Sequence, residues 1–340
     1  MSSNEETYST VCSKIGVGML LFYAFFVLSA VGVEFFSVFS DFFASDFESE
    51  VIYEILSAVA YFFSFSGAAY IIRKTVNKLP CSKPIYTSFK FNKWIAYAIV
   101  AIIAVNFTLA YVNAVMVSSL SPSFASELDA GGIDMEGRSQ SEILVFFAIS
   151  VFSTAIVPAV CEEYLFRGAV LTNLMPFGKT TAILGSALLF GLMHQNPLQI
   201  LYTTLMGVVI GFLYVKTKSI WMCMILHFAN NFITVLEEYL PLLTKLEWIG
   251  DVLDLSVMIL GGIALLFIIL KKDKEPTIEE NGSFGVLYEK GMDFEEYELN
   301  VSSAQKVKLF FRPTVIIYTC ICVFSMVAAL LAFVNLEVLF

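Results

Sequence analysis

Runs of about 20 apolar residues recur along most of the chain, and a run of that length can cross a bilayer as a helix. They lie near residues 15–39, 51–72, 94–117, 143–174, 181–193, 198–215, 220–236, 252–270 and 314–335. The fifth is short for a full crossing. In lipid a backbone must satisfy its own polar groups, so such a chain folds as a bundle of helices. The expected fold is all-α: a polytopic membrane bundle of about eight core helices with one extra helix at the C-terminus. Composition agrees, because 58% apolar residues, 15% charged residues and 33 phenylalanines suit lipid better than water.

Basic residues between the runs set an expected orientation. With the N-terminus in the cytoplasm, Lys14, the series Arg73 to Lys93, Lys179, Lys216, Lys218, and every Lys and Arg from Lys271 to Arg312 face inward. Only Arg138 and Lys245 then face outward, among acids such as Asp41, Glu48, Glu127, Asp134, Glu237 and Glu247. The expectation is a multi-pass protein of the cell membrane, N-terminus cytoplasmic and C-terminus outside. A net charge of −10 argues against a nucleic-acid partner. The first run reads as an uncleaved signal anchor, and the six cysteines show no disulfide or metal-ligand pattern.

The runs divide the chain into a cytosolic tail 1–14, N-terminal membrane helices 15–142, a core 143–235, and an eighth helix within 236–270. An acidic cytosolic loop 271–312, expected to be partly ordered by Phe284, Leu287, Tyr288 and Phe294, leads to a ninth helix 313–335. The last five residues, Leu336 to Phe340, match half of an engineered protease-cleavage tag and are set aside from fold reasoning.

The core concentrates the chemistry. Adjacent carboxylates at membrane depth are costly unless paired or facing a polar cavity, and Glu162-Glu163 lies inside the fourth run. Glu163 and Arg167 are four apart and share a helix face, so they are expected to form a structural clamp. Glu162, about 100° round the helix, is left as the general base. Cys161 reads as a packing residue. The chain's two histidines, His194 and His227, both lie within or beside later apolar runs. With a turn at Pro176–Lys179, Glu162 lies about 13 residues before it and His194 about 15 after, at nearly one depth. Phe190 sits one turn before His194. His227 and Asn231 share a face and are expected to be neutral donors for an oxyanion, with Asn230 as a supporting neighbour. Gly191 and the Gly207–Gly211 pair read as sites of close helix packing. Glu34, Glu54 and Asp254 are further acids within runs, with Glu34 unassigned.

Three motifs in order, Glu162-Glu163…Arg167, Phe190…His194 and His227…Asn231, resemble the family uniting CAAX prenyl protease 2 with the bacterial Abi or CPBP proteins. The resemblance covers roughly residues 143–235. It implies an intramembrane glutamate peptidase in which Glu162 and His194 activate water while His227 and Asn231 steady the oxyanion. The implied substrate is a membrane-associated peptide or a prenylated protein, reached within the lipid bilayer. Members are often labelled metalloproteases, so zinc at Glu162, His194 and His227 is the alternative to metal-free chemistry. Metal-free chemistry is favoured because Asn231 suits an oxyanion better than a zinc site. A rival reading is a non-catalytic immunity or scaffold protein of the same fold, although such relatives tend to lose motif residues that this chain keeps. A proton-relay transporter would favour paired internal repeats, which are not evident.

Overall fold

The computed structural model describes residues 2–40, 45–79, 81–82, 84–87, 93–120, 135, 137–197, 199–270 and 302–339. Ten helices follow one another: α1 Ser3–Ser40, α2 Asp46–Val76, α3 Lys93–Leu120, α4 Gln140–Phe177 and α5 Lys179–Met193, then α6 Ile200–Thr217, α7 Ile220–Thr244, α8 Ile249–Leu270, α9 Ser303–Phe310 and α10 Pro313–Leu339. The described residues contain no strand, only an isolated antiparallel bridge between Thr87 and Ser219. The expected polytopic helical bundle is what forms. Among the described residues seven helices are long and apolar enough to cross a membrane, and the bent pair α9–α10 makes up to eight. The 15-residue α5, the short fifth run, falls below that length.

Local chemistry fixes the ends. Ser45 and Ser139 each close a reciprocal capping box, with Glu48 and Glu142 respectively, which satisfies amide donors that a helix start leaves open. Between α4 and α5, Gly178 adopts φ 123°, a conformation that favours glycine, and turns the chain sharply into an antiparallel hairpin. α1 packs on α2 and α10, α3 on α8, and α5 on α6, while α4 meets α2, α5 and α7.

Three stretches differ from the sequence expectation. The proposed tail 1–14 is helical from Ser3, and Tyr8, Val11 and Cys12 are buried. The reason is periodic: positions 8, 11, 12, 15, 19 and 22 continue one apolar stripe, and Tyr8 meets Phe177 at 4.9 Å. Within the expected acidic loop, Ser302 caps α9, whose Leu309 and Phe310 are buried before the chain bends by 78° into α10. Phe310 seats against Gly185 of α5, where a Cβ would lie 2.9 Å from its ring. Phe284, Leu287, Tyr288 and Phe294 lie outside the described residues. Finally, α10 continues to Leu339, through residues set aside as a tag remnant.

The expected packing glycines do pack. A Cβ on Gly207 would stand 3.0 Å from the Ala187 Cα, one on Gly211 3.2 Å from Leu171, and one on Gly191 would overlap Thr204. Glu34 is exposed near the end of α1, whereas Glu54 and Asp254 are partly covered.

Candidate active site

α4 is not a uniform α-helix. Its turns widen to i→i+5 hydrogen bonding over Val151–Ile156 and again over Tyr164–Leu171, the two stretches flanking Glu162 and Glu163. Pro158 accounts for the first. It has no N–H for the carbonyl of Thr154, four residues back, and its ring crowds that carbonyl. The carbonyl is taken instead by Asn231 of α7, whose Nδ2 donates to it at 3.0 Å. In the second widened stretch the Thr172 hydroxyl donates to the Arg167 carbonyl at 2.7 Å. Single wide turns of this kind re-aim side chains and occur often at functional sites.

The clamp expected from sequence is present. Arg167 Nη1 donates to Glu163 Oε1 at 2.9 Å, and both side chains are 0% exposed. Arg167 Nη2 also donates to the Gly207 carbonyl of α6 at 3.2 Å, and its guanidinium lies 4.7 Å from the Phe190 ring centre. Glu163 does more than clamp. Its Oε1 also receives His227 Nδ1 at 2.8 Å, so one carboxylate oxygen serves an arginine and an imidazole from different helices.

That contact fixes the tautomer of His227. A carboxylate paired with arginine accepts, so Nδ1 carries the proton and Nε2 points away from Glu163. Nε2 therefore donates in the imidazolium form. It stands 4.0 Å from Glu162 Oε2. His194 is held the same way, with Nδ1 at 2.9 Å from the Phe190 carbonyl, leaving Nε2 free. Glu162 and His227 are the ionisable neighbours of His194, and Phe190 contacts both imidazoles edge-on at 5.1 and 6.1 Å.

Glu162 is only 4% exposed. One of its oxygens, Oε1, accepts the Tyr61 hydroxyl of α2, while Oε2 has no hydrogen-bond partner among the described residues. Beside this cluster runs a chain of amides. Asn106 of α3 donates to Asn230 Oδ1 at 2.8 Å, and Asn230 donates to Asn231 Oδ1 at 3.2 Å, which holds Asn231 against Thr154. Only one N–H of the Asn231 amide is used in these contacts, and the group carries two. Cys161 is buried and unpaired in a disulfide.

All eight residues singled out by sequence thus gather where α4, α5 and α7 meet. Sequence reasoning passed over Tyr61, Asn106 and Pro158. Pro158 carried a legible signal, a proline inside a helical run. Tyr61 and Asn106 act across helices more than 100 residues apart in the chain, and no local pattern announces them. Among the described residues no group of three His, Cys, Asp or Glu side chains that could hold a metal ion is found. A lipid-side groove of about 480 Å³ between α1 and α10, around Tyr23, Ile317 and Phe324, involves none of the site residues.

A polytopic helical membrane protein with a buried Glu–Glu–Arg–His cluster is the class this geometry defines. Residues 144–233 match the family model described as type II CAAX prenyl endopeptidase Rce1-like, so the resemblance read from the three motifs is found again over that segment. A Bacillus subtilis (strain 168) protein named "Putative membrane peptidase YdiL" is 31% identical over 140 residues, 39% of this chain and 55% of that protein. The chain thus spans about half the length of the curated relative it matches. No solved structure matches it.

Removing either half of the clamp strands a charge with no exposure. Glu163→Ala and Arg167→Ala should each cost about 3–5 kcal/mol of stability, read as a lowered unfolding temperature in detergent. Parental melting by both variants would show that the pair does not hold the fold.

Proposed function

We propose that the chain is an intramembrane endopeptidase. It hydrolyses a peptide bond near the end of a membrane-associated protein or peptide, by CAAX-type trimming of a prenylated C-terminus or by leader processing. The observation that carries this reading is Glu162 Oε2: a buried carboxylate oxygen without a protein partner among the described residues, facing an imidazole nitrogen at 4.0 Å. A water bound to Oε2 at ordinary hydrogen-bond distance, about 2.8 Å, sits beside the imidazole that is to meet the developing oxyanion. The match to an endopeptidase family over the segment holding these residues supports the same conclusion.

The reaction follows from the placed groups. Glu162 takes a proton from water, His194 Nε2 orients that water, and the hydroxide adds to the peptide carbonyl carbon. Negative charge moving to the carbonyl oxygen is met by His227 Nε2–H, whose positive charge Glu163 balances, and by the free N–H of Asn231. Glu162 then returns its proton to the leaving amine as the C–N bond breaks. Every step uses groups of the chain and one water.

Water must reach this depth. At about 1.5 Å per residue, α5 is roughly 22 Å long against a hydrocarbon core near 30 Å. The break after His194, with Gln195 at φ 49°, therefore falls within the membrane, where irregular backbone is tolerated if it is buried or lines a wet cavity. His227 lies about nine residues past Lys218, roughly 14 Å from the basic side, so entry is from the cytoplasm, with the N-terminus inside and the C-terminus outside.

Glu162→Gln keeps shape and hydrogen bonding but removes the base. Hydrolysis of a quenched peptide by the purified chain should fall by about 10² to 10⁴, and undiminished turnover would sink the assignment.

Dialysis against a strong chelator should leave activity intact, with well under one zinc per chain by elemental analysis. Stoichiometric zinc, lost and restored together with activity, would make His194 and His227 ligands instead.

With Cys161 and Cys223 replaced by Ala, Asn231→Cys should be labelled by a small membrane-impermeant thiol reagent applied from the cytoplasmic face. Labelling from the outer face alone would reverse the direction of entry.

A further inference from the structure

We infer that Tyr61 of α2, outside the segment matched by the peptidase family, is a positioning residue for Glu162: its hydroxyl occupies Oε1 and so commits Oε2 to the reaction. The inference rests on the peptidase reading given above. Its geometric basis is direct. Tyr61 donates its only hydroxyl proton to Glu162 Oε1, and Oε2 is the oxygen left unpartnered, facing His227 Nε2.

The ring is held in place for this. It stacks on Phe65 at 4.3 Å with planes 26° apart, and Phe26 of α1 meets it edge-on at 6.2 Å. Phe65 is in turn braced by Phe22 of α1 at 4.4 Å. Aromatic contacts from two helices therefore fix where the phenol oxygen sits, and the phenol oxygen fixes the carboxylate plane. A carboxylate free to turn about its last torsion would offer either oxygen to the water, and to His227, with little preference. Hydrogen bonds to ionised acceptors are short and strong, so one is enough to hold that torsion. The remaining oxygen then needs no rearrangement before it takes the proton, which is the condition for efficient general-base catalysis.

This arrangement assigns the α1–α2 pair a part in the chemistry as well as in the fold. A chain with an intact Glu–Glu–Arg, Phe–His and His–Asn set but a displaced α2 would have a base with the wrong orientation.

Tyr61→Phe tests the inference, since it keeps the ring, its stacking and its volume and removes only the donor. The full chain, purified in detergent, is assayed with quenched peptides, one farnesylated at a C-terminal Cys and one unprenylated. The variant should lose about tenfold in kcat, with KM changed less than twofold and the unfolding temperature unchanged. A structural defect would instead lower the unfolding temperature or change KM. An activity-independent reading comes from infrared difference spectra. The Glu162 carboxylate band, identified by its loss in Glu162→Gln, should shift in Tyr61→Phe. An unshifted band, or a shifted band with parental kcat, overturns the positioning role. If the parent chain cleaves neither peptide, the peptidase reading fails for these substrates, while the infrared band still decides whether Tyr61 holds Glu162.

Discussion

Arg167 has no exposed surface, and its guanidinium remains charged in any protein environment. A permanent charge at that depth has to be met from every side, and the surrounding structure follows from how it is met. Glu163 supplies the counter-charge from one turn away, and the Gly207 carbonyl supplies a second acceptor from α6. Phe190 offers its ring face to the cation. Gly207 reaches that position because it has no side chain: a Cβ there would press on the Ala187 backbone. The close approach of α6 to α5 and the burial of Arg167 are therefore one feature, in which a glycine brings a carbonyl to a buried cation.

The same pairing governs His227. Glu163 Oε1 accepts from the Arg167 guanidinium at 2.9 Å and from His227 Nδ1 at 2.8 Å, so one carboxylate oxygen orients the imidazole. Two acids, one arginine and one imidazole thus share the interior of the bundle. Lone charges would be excluded from an apolar bundle, whereas charged and polar groups that meet one another are tolerable there.

How far the site could be read from sequence depends on which contacts are local. Glu163 and Arg167 lie one turn apart on one helix, so spacing alone revealed their pairing. That Glu162 is a neighbour of His194 was legible because a tight turn at Gly178 makes two helices antiparallel, and position then becomes a matter of counting. The shared oxygen of Glu163 was not legible, because nothing in the spacing of His227 says which of two adjacent carboxylates it meets. The burial of residues in the stretch before Ile15 was not legible for a different reason. Its polar residues Glu5, Glu6 and Lys14 masked a buried stripe through Tyr8, Val11 and Cys12, visible only when the period is followed past the charged positions. Nor did the length of an apolar run disclose the widened turns of α4, although Pro158 marks one of them.

The extent of the matched segment, residues 144–233, has a physical meaning that differs from the extent of the site. That segment carries the groups able to exchange protons, yet two of its members take their orientation from helices before it. Tyr61 donates to Oε1 of Glu162, and Asn106 anchors the amide chain that holds Asn231 against the carbonyl left open by Pro158. Neither contact requires an ionisable group or a particular sequence motif, only a hydroxyl or an amide at the right height on a packed helix. Such roles can be filled from different positions in differently packed bundles, whereas the acid, the imidazoles and the buried arginine cannot be moved without moving the charge balance. A buried polar core with supports built from neighbouring helices is the arrangement these energetics favour, and α2 and α3 are the supports in this chain.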